Sequence, residues 1–403
     1  MDKSIYFFGQ SVFGQLIKLI DFNSVQRIIR ENGSDNYYKK FKTWDHMITM
    51  VFTVLSGCSS LREVAGAMLG LKGKIKHLQL GSIARRSTLS DANKNRNALV
   101  FEKIYYMLYH SYSHFLSDSR YKLQKDKNLY VIDSTVISLF KAILKCAGRR
   151  PATGKQKGGI KVHTLMNLQE EVPKLVWFTS GATNDVLFLQ KIPFEKGNIY
   201  VFDRGYINYP VFEQMTLNQV GYVTRFKENT TFTSIYENEA SRCFETGVLK
   251  DEVIELPIRR NGKILRVFKQ RRIVFWDTQN ERIFEFLTNL FELDAEMVAD
   301  IYKKRWAIEL LFKQLKQNFP LKYFLGDNQN AITIQIWATL IVNLLLTVIR
   351  KQVQRNWSFS NIVSFCRLHL FNYIHLVSFL ENPEKDWLKE LNINEYQLSI
   401  FTG

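Results

Sequence analysis

Cysteine is scarce in this 403-residue chain, which has four: Cys58, Cys146, Cys243 and Cys366. No two of them form a C-x-x-C pair. Structural zinc sites and disulfide frameworks need cysteines at short, regular spacings, so neither is expected, and a reducing cytosol fits the composition. The N-terminal residues MDKSIYFFGQSVFG lack a basic segment followed by a clean apolar run, so no signal peptide is expected.

Acidic residues are outnumbered by basic ones, with 38 Asp and Glu against 55 Lys and Arg and a formal net charge of +17. This excess favours a polyanionic partner, with nucleic acid ahead of an acidic membrane. The hydrophobic content of 46% excludes a disordered chain. The length allows a sizeable core and two or three structural units.

Long uncharged stretches are also few. Residues 331–349, AITIQIWATLIVNLLLTVI, are long enough to be weighed as a membrane span. The stretch contains Thr, Gln and Asn side chains and closely follows an amphipathic segment. We therefore expect a buried core helix and no membrane partner.

Residues 1–125 are predicted to form a helical N-terminal DNA-binding domain. Residues 44–55 are apolar at helical spacing, residues 60–63 have the form of a capping box, and a long helix is expected to lead from about residue 87 towards residue 116. Basic residues cluster at the start of that helix, where backbone N–H groups favour phosphate; they are Arg85, Arg86, Lys94 and Arg96. The pattern is consistent with DNA contact, although many helical domains share it.

Two apolar strand patterns further along each carry an aspartate. Asp133 interrupts the run LYVIDSTV, and Asp203 ends the run NIYVFD before a glycine turn. A carboxylate in such a strand costs several kcal/mol unless it is hydrogen-bonded or bound to a metal. Ser134 or Thr135 could satisfy Asp133 alone, but two such strands are harder to attribute to chance. Hard cations such as Mg²⁺ take carboxylate ligands.

Residues 301–316, IYKKRWAIELLFKQLK, are predicted to form one amphipathic helix. At 3.6 residues per turn, Tyr302, Arg305, Glu309 and Lys316 fall within an arc of roughly 60° beside an apolar stripe. A carboxylate flanked by two cations and a phenol suits a site for metal and phosphate. A surface helix with an Arg305–Glu309 ion pair explains the same pattern, and both interpretations stay open here.

A basic, glycine-containing loop lies between the two aspartates. Residues 141–161 hold seven basic residues and no acid: Lys141, Lys145, Arg149, Arg150, Lys155, Lys157 and Lys161. Phosphate backbone is the natural partner of such a loop. It is not a P-loop, since Gly148 is one residue too far upstream and Gln156 stands where Ser or Thr is required. The neighbouring Lys161 and His163 could approach the site, but their pattern assigns them no role.

Residues 229–282 are predicted to be a β insertion with a basic face, marked by an Asn261-Gly262 hairpin signal. Trp276 in this segment suits either stacking on a base or, the favoured interpretation, a place in the core. Residues 351–403 are predicted to form a helical tail.

Taken together, Asp133, Asp203 and Glu309 resemble the acidic triad of the DDE transposases of bacterial insertion sequences. The spacing Tyr302-x2-Arg305-x3-Glu309-x6-Lys316 is similar to the Y-R-E-K signature of one branch. The resemblance covers roughly residues 10–350.

The resemblance implies a mixed α/β fold: a ribonuclease-H-like catalytic domain at 126–350 with a β insertion, preceded by the helical domain and followed by helices. It implies two Mg²⁺ or Mn²⁺ ions on the three acids. It also implies that Tyr302, Arg305 and Lys316 hold DNA phosphates. Expected partners are the terminal inverted repeats, target DNA and a second copy in a synaptic homodimer, in the bacterial cytoplasm at the nucleoid.

Three alternatives remain. A metal-dependent DNA nuclease without strand transfer would use the same three acids. A catalytically silent relic could bind DNA without cutting it. A haloacid-dehalogenase-type phosphatase fits poorly, because Thr135 stands where that motif needs a second Asp.

Overall fold

The computed structural model describes residues 9–70, 76–117, 129–138, 159–239, 245–321 and 323–384. The chain divides into two compact units. One contains residues 1–116 and 314–403, and the other contains residues 117–313. The boundaries of these units differ from the domain boundaries predicted from the sequence. The predicted boundaries, as limits of functional domains, stay a prediction.

The described helices are these, in chain order: α1 (Val12–Lys18), α2 (Phe22–Glu31), α3 (Thr43–Ser56), α4 (Leu61–Gly70), α5 (Arg86–Asn95), α6 (Leu99–Leu116), α7 (Val186–Leu189), α8 (Tyr209–Leu217), α9 (Ala295–Lys303), α10 (Trp306–Asn318), α11 (Gln329–Gln352), α12 (Phe359–Leu368) and α13 (Leu376–Glu381).

The described strands are β1 (Leu129–Ser138), β2 (Gly159–Asn167), β3 (Pro173–Ser180), β4 (Ile199–Phe202), β5 (Gly221–Arg225), β6 (Thr233–Glu237), β7 (Val248–Arg260), β8 (Lys263–Asp277) and β9 (Arg282–Thr288).

The first unit is helical and is built around α11, which packs against α3, α5, α6 and α12. Helix α11 is long and apolar enough to cross a membrane, but 94% of its apolar window is buried inside the protein. Trp337 packs against the rings of Tyr105 and Tyr106 on α6. Burial on all sides explains why this helix lacks a charged face, and the structure agrees with the expected core helix.

The predicted helix from residue 87 to residue 116 is wrong as a single element. The chain forms α5 and α6 with a break between them, at Arg96 to Ala98. Asn330 stabilises the break, because its side-chain amide donates to the carbonyls of Asn93 and Arg96. This long-range contact has no local sequence signal.

The second unit is built on one sheet of nine described strands in the order β3-β2-β1-β4-β5-β9-β8-β7-β6. Strands β1, β2 and β3 pair antiparallel, whereas β1 pairs with β4, and β4 with β5, in parallel. An order of 3-2-1-4-5 with these directions is the ribonuclease-H-like arrangement. The predicted fold class is therefore confirmed.

The predicted β insertion extends this sheet at its β5 edge. Strand β9 pairs with β5 and β8, and β8 pairs with β7 around a turn at Asn261 and Gly262. Both turn residues have positive φ, as a two-residue hairpin of this kind requires. The hairpin signal in the sequence was correct.

Candidate active site

Asp133 lies in the middle of β1, level with the point where the neighbouring parallel strand β4 ends and Asp203 follows. In the parallel pair of β1 and β4, Ile132 lies opposite Phe202, so Asp133 and Asp203 are the next residues on adjacent strands. Ile132 and Phe202 are both fully buried. The apolar runs bury both strands up to this level, and the parallel register brings the two aspartates side by side.

Asp133 accepts a hydrogen bond from the backbone N–H of Ser134 at 2.7 Å and one from Nη1 of Arg305 at 3.2 Å. Burial raises the pKa of this carboxyl group to about 6. The Ser134 N–H and Arg305 act against that rise, while the nearby carboxylates of Glu309 and Asp203 add to it. The carboxylates of Glu309 and Asp203 are therefore close enough to Asp133 to act on its charge.

Arg305 joins Asp133 to Glu309. Its Nη2 donates to Oε1 of Glu309 at 2.5 Å, while its Nη1 holds Asp133. Its Nε is buried and has no hydrogen-bond partner among the described residues. A buried donor without a partner is costly. The free Nε–H also means that this guanidinium can bind one more acceptor.

The expected single helix from residue 301 to residue 316 is wrong. Helix α9 ends at Lys303 and α10 begins at Trp306. Where the two helices meet, the N–H groups of Arg305, Ala307 and Ile308 donate to carbonyls three residues back and not four. This tighter turn changes the helical phase, so the four signature residues do not share one straight helix face.

Tyr302 is anchored to the sheet on the N-terminal side of this turn. Its ring lies 5.0 Å from that of Phe286 on β9, and its side chain belongs to a buried cluster that includes Val201 and Val223. Burial is the main reason why the pKa of its hydroxyl rises to about 12, so it is protonated at neutral pH.

Asp203 accepts a hydrogen bond from the N–H of Arg204 at 2.7 Å, at the start of a short 3₁₀ turn. The Arg204 side chain points to a different acid, Glu228, at 3.3 Å. Asp203 therefore caps the glycine-containing turn that was predicted after this strand.

The donor chemistry of the three acids fits a hard divalent cation, which takes carboxylate oxygens. In the part of the chain that the structure describes, however, no group of three or more His, Cys, Asp or Glu side chains is arranged to hold a metal ion. Arg305 occupies the position between Asp133 and Glu309. An ion shared by these two carboxylates would have to displace it.

The remaining predicted phosphate-binding residues have different outcomes. Arg149, Arg150, Lys155 and Lys157 lie outside the described residues. Arg85 and Arg86 are exposed at the start of α5. Lys316 lies on α10 in the segment assigned to the first unit, and burial lowers the pKa of its amine.

Arg96 does not belong to the exposed basic cluster proposed from the sequence. It is 1% exposed and donates to the backbone carbonyls of Phe41 and Lys42, with its guanidinium over the ring of Tyr38. Two backbone carbonyls and an aromatic face hold this cation inside the protein, so it is a structural residue.

Two features were not assigned from the sequence. Asp185, at the start of α7, gathers Ser134, Lys161 and His163 around its carboxylate. Trp306, directly after Arg305, is 57% exposed. The position of Trp306 outside the apolar stripe of the predicted helix could have indicated this exposure. Trp276, the tryptophan that the sequence analysis considered, is partly buried in β8.

A sheet of this order, with Asp133 and Asp203 side by side on its first and fourth strands, defines a protein of the ribonuclease-H-like class. Within that class the chain belongs to the DDE transposases, because the family described as "Transposase DDE domain" matches residues 124–345, more than half of its length. Residues 8–80 match a second family, described as "Domain of unknown function (DUF4372)".

Curated relatives agree with this family. The chain is 29% identical over 262 residues to a putative transposase, y4zB, of Sinorhizobium fredii, covering 64% of this chain and 70% of the relative. It is 27% identical over 250 residues to a probable transposase for insertion sequence element IS5377 of Geobacillus stearothermophilus, covering 62% and 64%. It is also 26% identical over 292 residues to a putative transposase for insertion sequence element IS4SA of Synechocystis, covering 69% and 76%.

Among solved structures, the piggyBac transposase synaptic complex with hairpin DNA aligns over 93% of this chain and 83% of that chain, with 11% identity and a TM-score of 0.41. A likeness this weak supports no inference about the present chain. The resemblance to DDE transposases of bacterial insertion sequences is confirmed by the family and the curated relatives, while the Y-R-E-K branch stays a prediction.

Proposed function

We propose that this transposase cuts DNA at the ends of an insertion sequence and joins the cut ends to target DNA, with Asp133, Asp203 and Glu309 as its catalytic acids. The observation that carries the proposal is the contact of Arg305 with both Asp133 and Glu309. Through this contact Glu309 and Asp133 share one guanidinium, and the parallel register of β1 and β4 supports Asp203 as the third member of the set.

The three acids are the proposed ligands of two Mg²⁺ or Mn²⁺ ions. Bound divalent ions would activate the attacking oxygen and stabilise the leaving oxygen of an in-line displacement at phosphorus. Asp133 must be ionised to bind them, and its burial beside two other acids makes the ionised form costly without a cation. Arg305 is the cation that contacts both Asp133 and Glu309 in this structure.

Basic and hydrogen-bonding residues outside the acidic set would hold the DNA. Arg305 has a partnerless Nε and five donors in a planar fork, which suits a phosphate oxygen once its carboxylates bind ions. Tyr302 is protonated at neutral pH and can donate a hydrogen bond. Lys316, the basic loop with Arg149, Arg150, Lys155 and Lys157, and the exposed Arg85 and Arg86 are proposed to contact the phosphate backbone.

In both chemical steps one P–O bond forms as another breaks. For cleavage, the oxygen of water attacks phosphorus and the 3′-oxygen of the flank or element leaves with a proton. For joining, the freed 3′-hydroxyl attacks a target phosphodiester and displaces a target 3′-oxygen. We further propose that two copies act in a synaptic dimer at the bacterial nucleoid.

The test uses DNA that carries the element's own ends, identified from the sequence flanking the gene. Wild type is compared with Asp133→Asn and Glu309→Gln, and with the control Glu296→Gln, an exposed acid on the adjacent α9. We expect Mg²⁺- or Mn²⁺-dependent nicking and joining by wild type and the control, and neither reaction by the two site variants.

The alternatives predict other results. Nicking without joining would favour a metal-dependent nuclease. Binding of the ends without any cleavage would leave only a DNA-binding relic. Retained cleavage in Glu309→Gln would remove that residue from the catalytic set.

A further inference from the structure

Beside the three acids lies a fourth carboxylate, Asp185, whose contacts reach both neighbouring strands. It accepts a hydrogen bond from the Ser134 hydroxyl on β1 at 2.7 Å. From β2 it receives the ammonium of Lys161 at 3.2 Å and faces Nδ1 of His163 at 3.5 Å. These are the Lys and His that the sequence placed near the site without a role.

Asp185 does not serve the helix at whose start it lies. Aspartate at this position commonly accepts a hydrogen bond from a backbone N–H of the first turn. Here its side chain makes no capping hydrogen bond to α7. Its carboxylate is directed to the strands instead, so local helix stability does not explain this residue.

Lys161 and His163 make different contributions to the cluster. Lys161 is an ionic partner and also donates to the carbonyl of Thr183 at 2.9 Å. His163 is fully buried against the rings of Trp177 and Phe188, and its Nε2 pairs with the Thr179 hydroxyl at 2.8 Å. Burial lowers its pKa to about 4, so at neutral pH the only charge opposite Asp185 in this cluster is that of Lys161.

Ser134 connects this cluster to the proposed catalytic site. Its backbone N–H donates to Asp133 at 2.7 Å while its hydroxyl donates to Asp185 at 2.7 Å. A rotation of β1 at this point that moved the Asp133 carboxylate would therefore strain the Ser134–Asp185 bond as well. The buried hydroxyl of Tyr206 is close enough to Asp133, Asp185 and Asp203 for all three to raise its pKa, after burial itself.

We propose that Asp185 is a positioning residue of this transposase, and that it acts through Ser134 to orient Asp133. The inference rests on the proposed role of Asp133 as an ion ligand. Partners that orient metal ligands typically contribute about 10–100-fold in ion affinity or activity, and we expect an effect of that size.

The decisive variant is Ser134→Ala, which removes the hydroxyl link and leaves the Asp185–Lys161 ion pair unchanged. Asp185→Ala removes the acceptor, and Ser134→Thr restores a hydroxyl. The control is Glu195→Gln, which removes a carboxylate paired with Lys174 of β3 at the other end of these strands. Mn²⁺ affinity of the DNA-free chain is measured by calorimetry, and kcat and KM are measured on the end DNA.

We expect Ser134→Ala and Asp185→Ala each to weaken Mn²⁺ binding about 10–100-fold and to lower kcat with little change in the KM for DNA. The double variant should be little worse than either single one, because both break one linkage. Ser134→Thr and Glu195→Gln should resemble wild type.

Wild-type Mn²⁺ affinity and kcat in Ser134→Ala would overturn the inference, even if Asp185→Ala failed to fold. So would full additivity of the two substitutions. These outcomes differ from failure of the proposed function, in which wild type would neither bind Mn²⁺ nor cleave, or Asp133→Asn would remain active.

Discussion

Replacing Arg305 should produce two opposite effects, a gain in ion affinity and a loss of DNA cleavage. In the DNA-free chain its guanidinium contacts Asp133 at 3.2 Å and Glu309 at 2.5 Å, where it competes with any cation for these carboxylates. In the DNA complex the same group is proposed to hold a phosphate. The substitution Arg305→Gln removes the charge and keeps a polar side chain.

The size of the gain follows from the electrostatics of the contact. Two unit charges 4 Å apart interact by about 1 kcal/mol in water and about 4 kcal/mol near a protein surface. The side chains of Arg305, Asp133 and Glu309 are 15%, 20% and 32% exposed, so solvent screens part of this interaction. A competing contact of about 1–3 kcal/mol corresponds to about 5–150-fold tighter Mn²⁺ binding in Arg305→Gln.

Calorimetric titration of the DNA-free chain with Mn²⁺ measures this gain, with cleavage rates measured in parallel. Arg305→Lys should lie between wild type and Arg305→Gln, because it keeps the charge but not the planar fork. Arg204→Gln is the control, since it removes a cation next to Asp203 that pairs with Glu228. Unchanged Mn²⁺ affinity in Arg305→Gln, or equal gains in both Gln variants, would refute the competition between Arg305 and the ion.

Three further predictions concern pH and stability. Because the pKa of Asp133 is about 6, Mn²⁺ affinity measured by calorimetry should fall by up to about tenfold per pH unit below pH 6. Between pH 4 and pH 6 the folded chain binds the Asp133 proton more tightly than the unfolded chain does. Without added metal, the free energy of unfolding measured in urea should therefore fall by up to about 3 kcal/mol as pH rises from 4 to 6. Arg271→Met should cost about 3–5 kcal/mol in urea unfolding, because it leaves the buried Asp251 unpaired, and Asp251→Leu added to it should recover part of that loss. Gly262→Ala should cost about 1–2 kcal/mol of stability and lower the Tm, because φ at Gly262 is +77°. Nothing lies within 4 Å of the added methyl group, so the cost would come from the backbone alone. A wild-type Tm would contradict this argument.

The strand aspartates could be predicted because a carboxylate inside an apolar run is costly, and that cost points to a partner. The sheet order confirms the fold inferred with them. The hairpin at Asn261 and Gly262 was also predictable, since its turn chemistry is local and both residues take the positive φ that the turn requires.

The break at Lys304 and Arg305 could not be predicted in this way. The segment YKKRWA contains no glycine or proline, so nothing local ends the helix. Its cause is tertiary, because Tyr302 packs onto Phe286 while Arg305 reaches Asp133. Arg96 was misinterpreted for a related reason, since a sequence shows a positive charge but not the carbonyl oxygens that satisfy it inside the protein.

The segment between Asp203 and Glu309 is part of the same sheet as the ribonuclease-H-like core. Strand β9 bonds to β5 of the ribonuclease-H-like core and to β8, so the added strands continue the same sheet. Phe286 on β9 is the surface against which Tyr302 packs, and the turn that begins after Tyr302 directs Arg305 and then Glu309 towards Asp133. The position of the third acid therefore depends in part on strands outside the five-stranded core, because α9 packs against the added strands β7 and β9 as well as against β4 and β5.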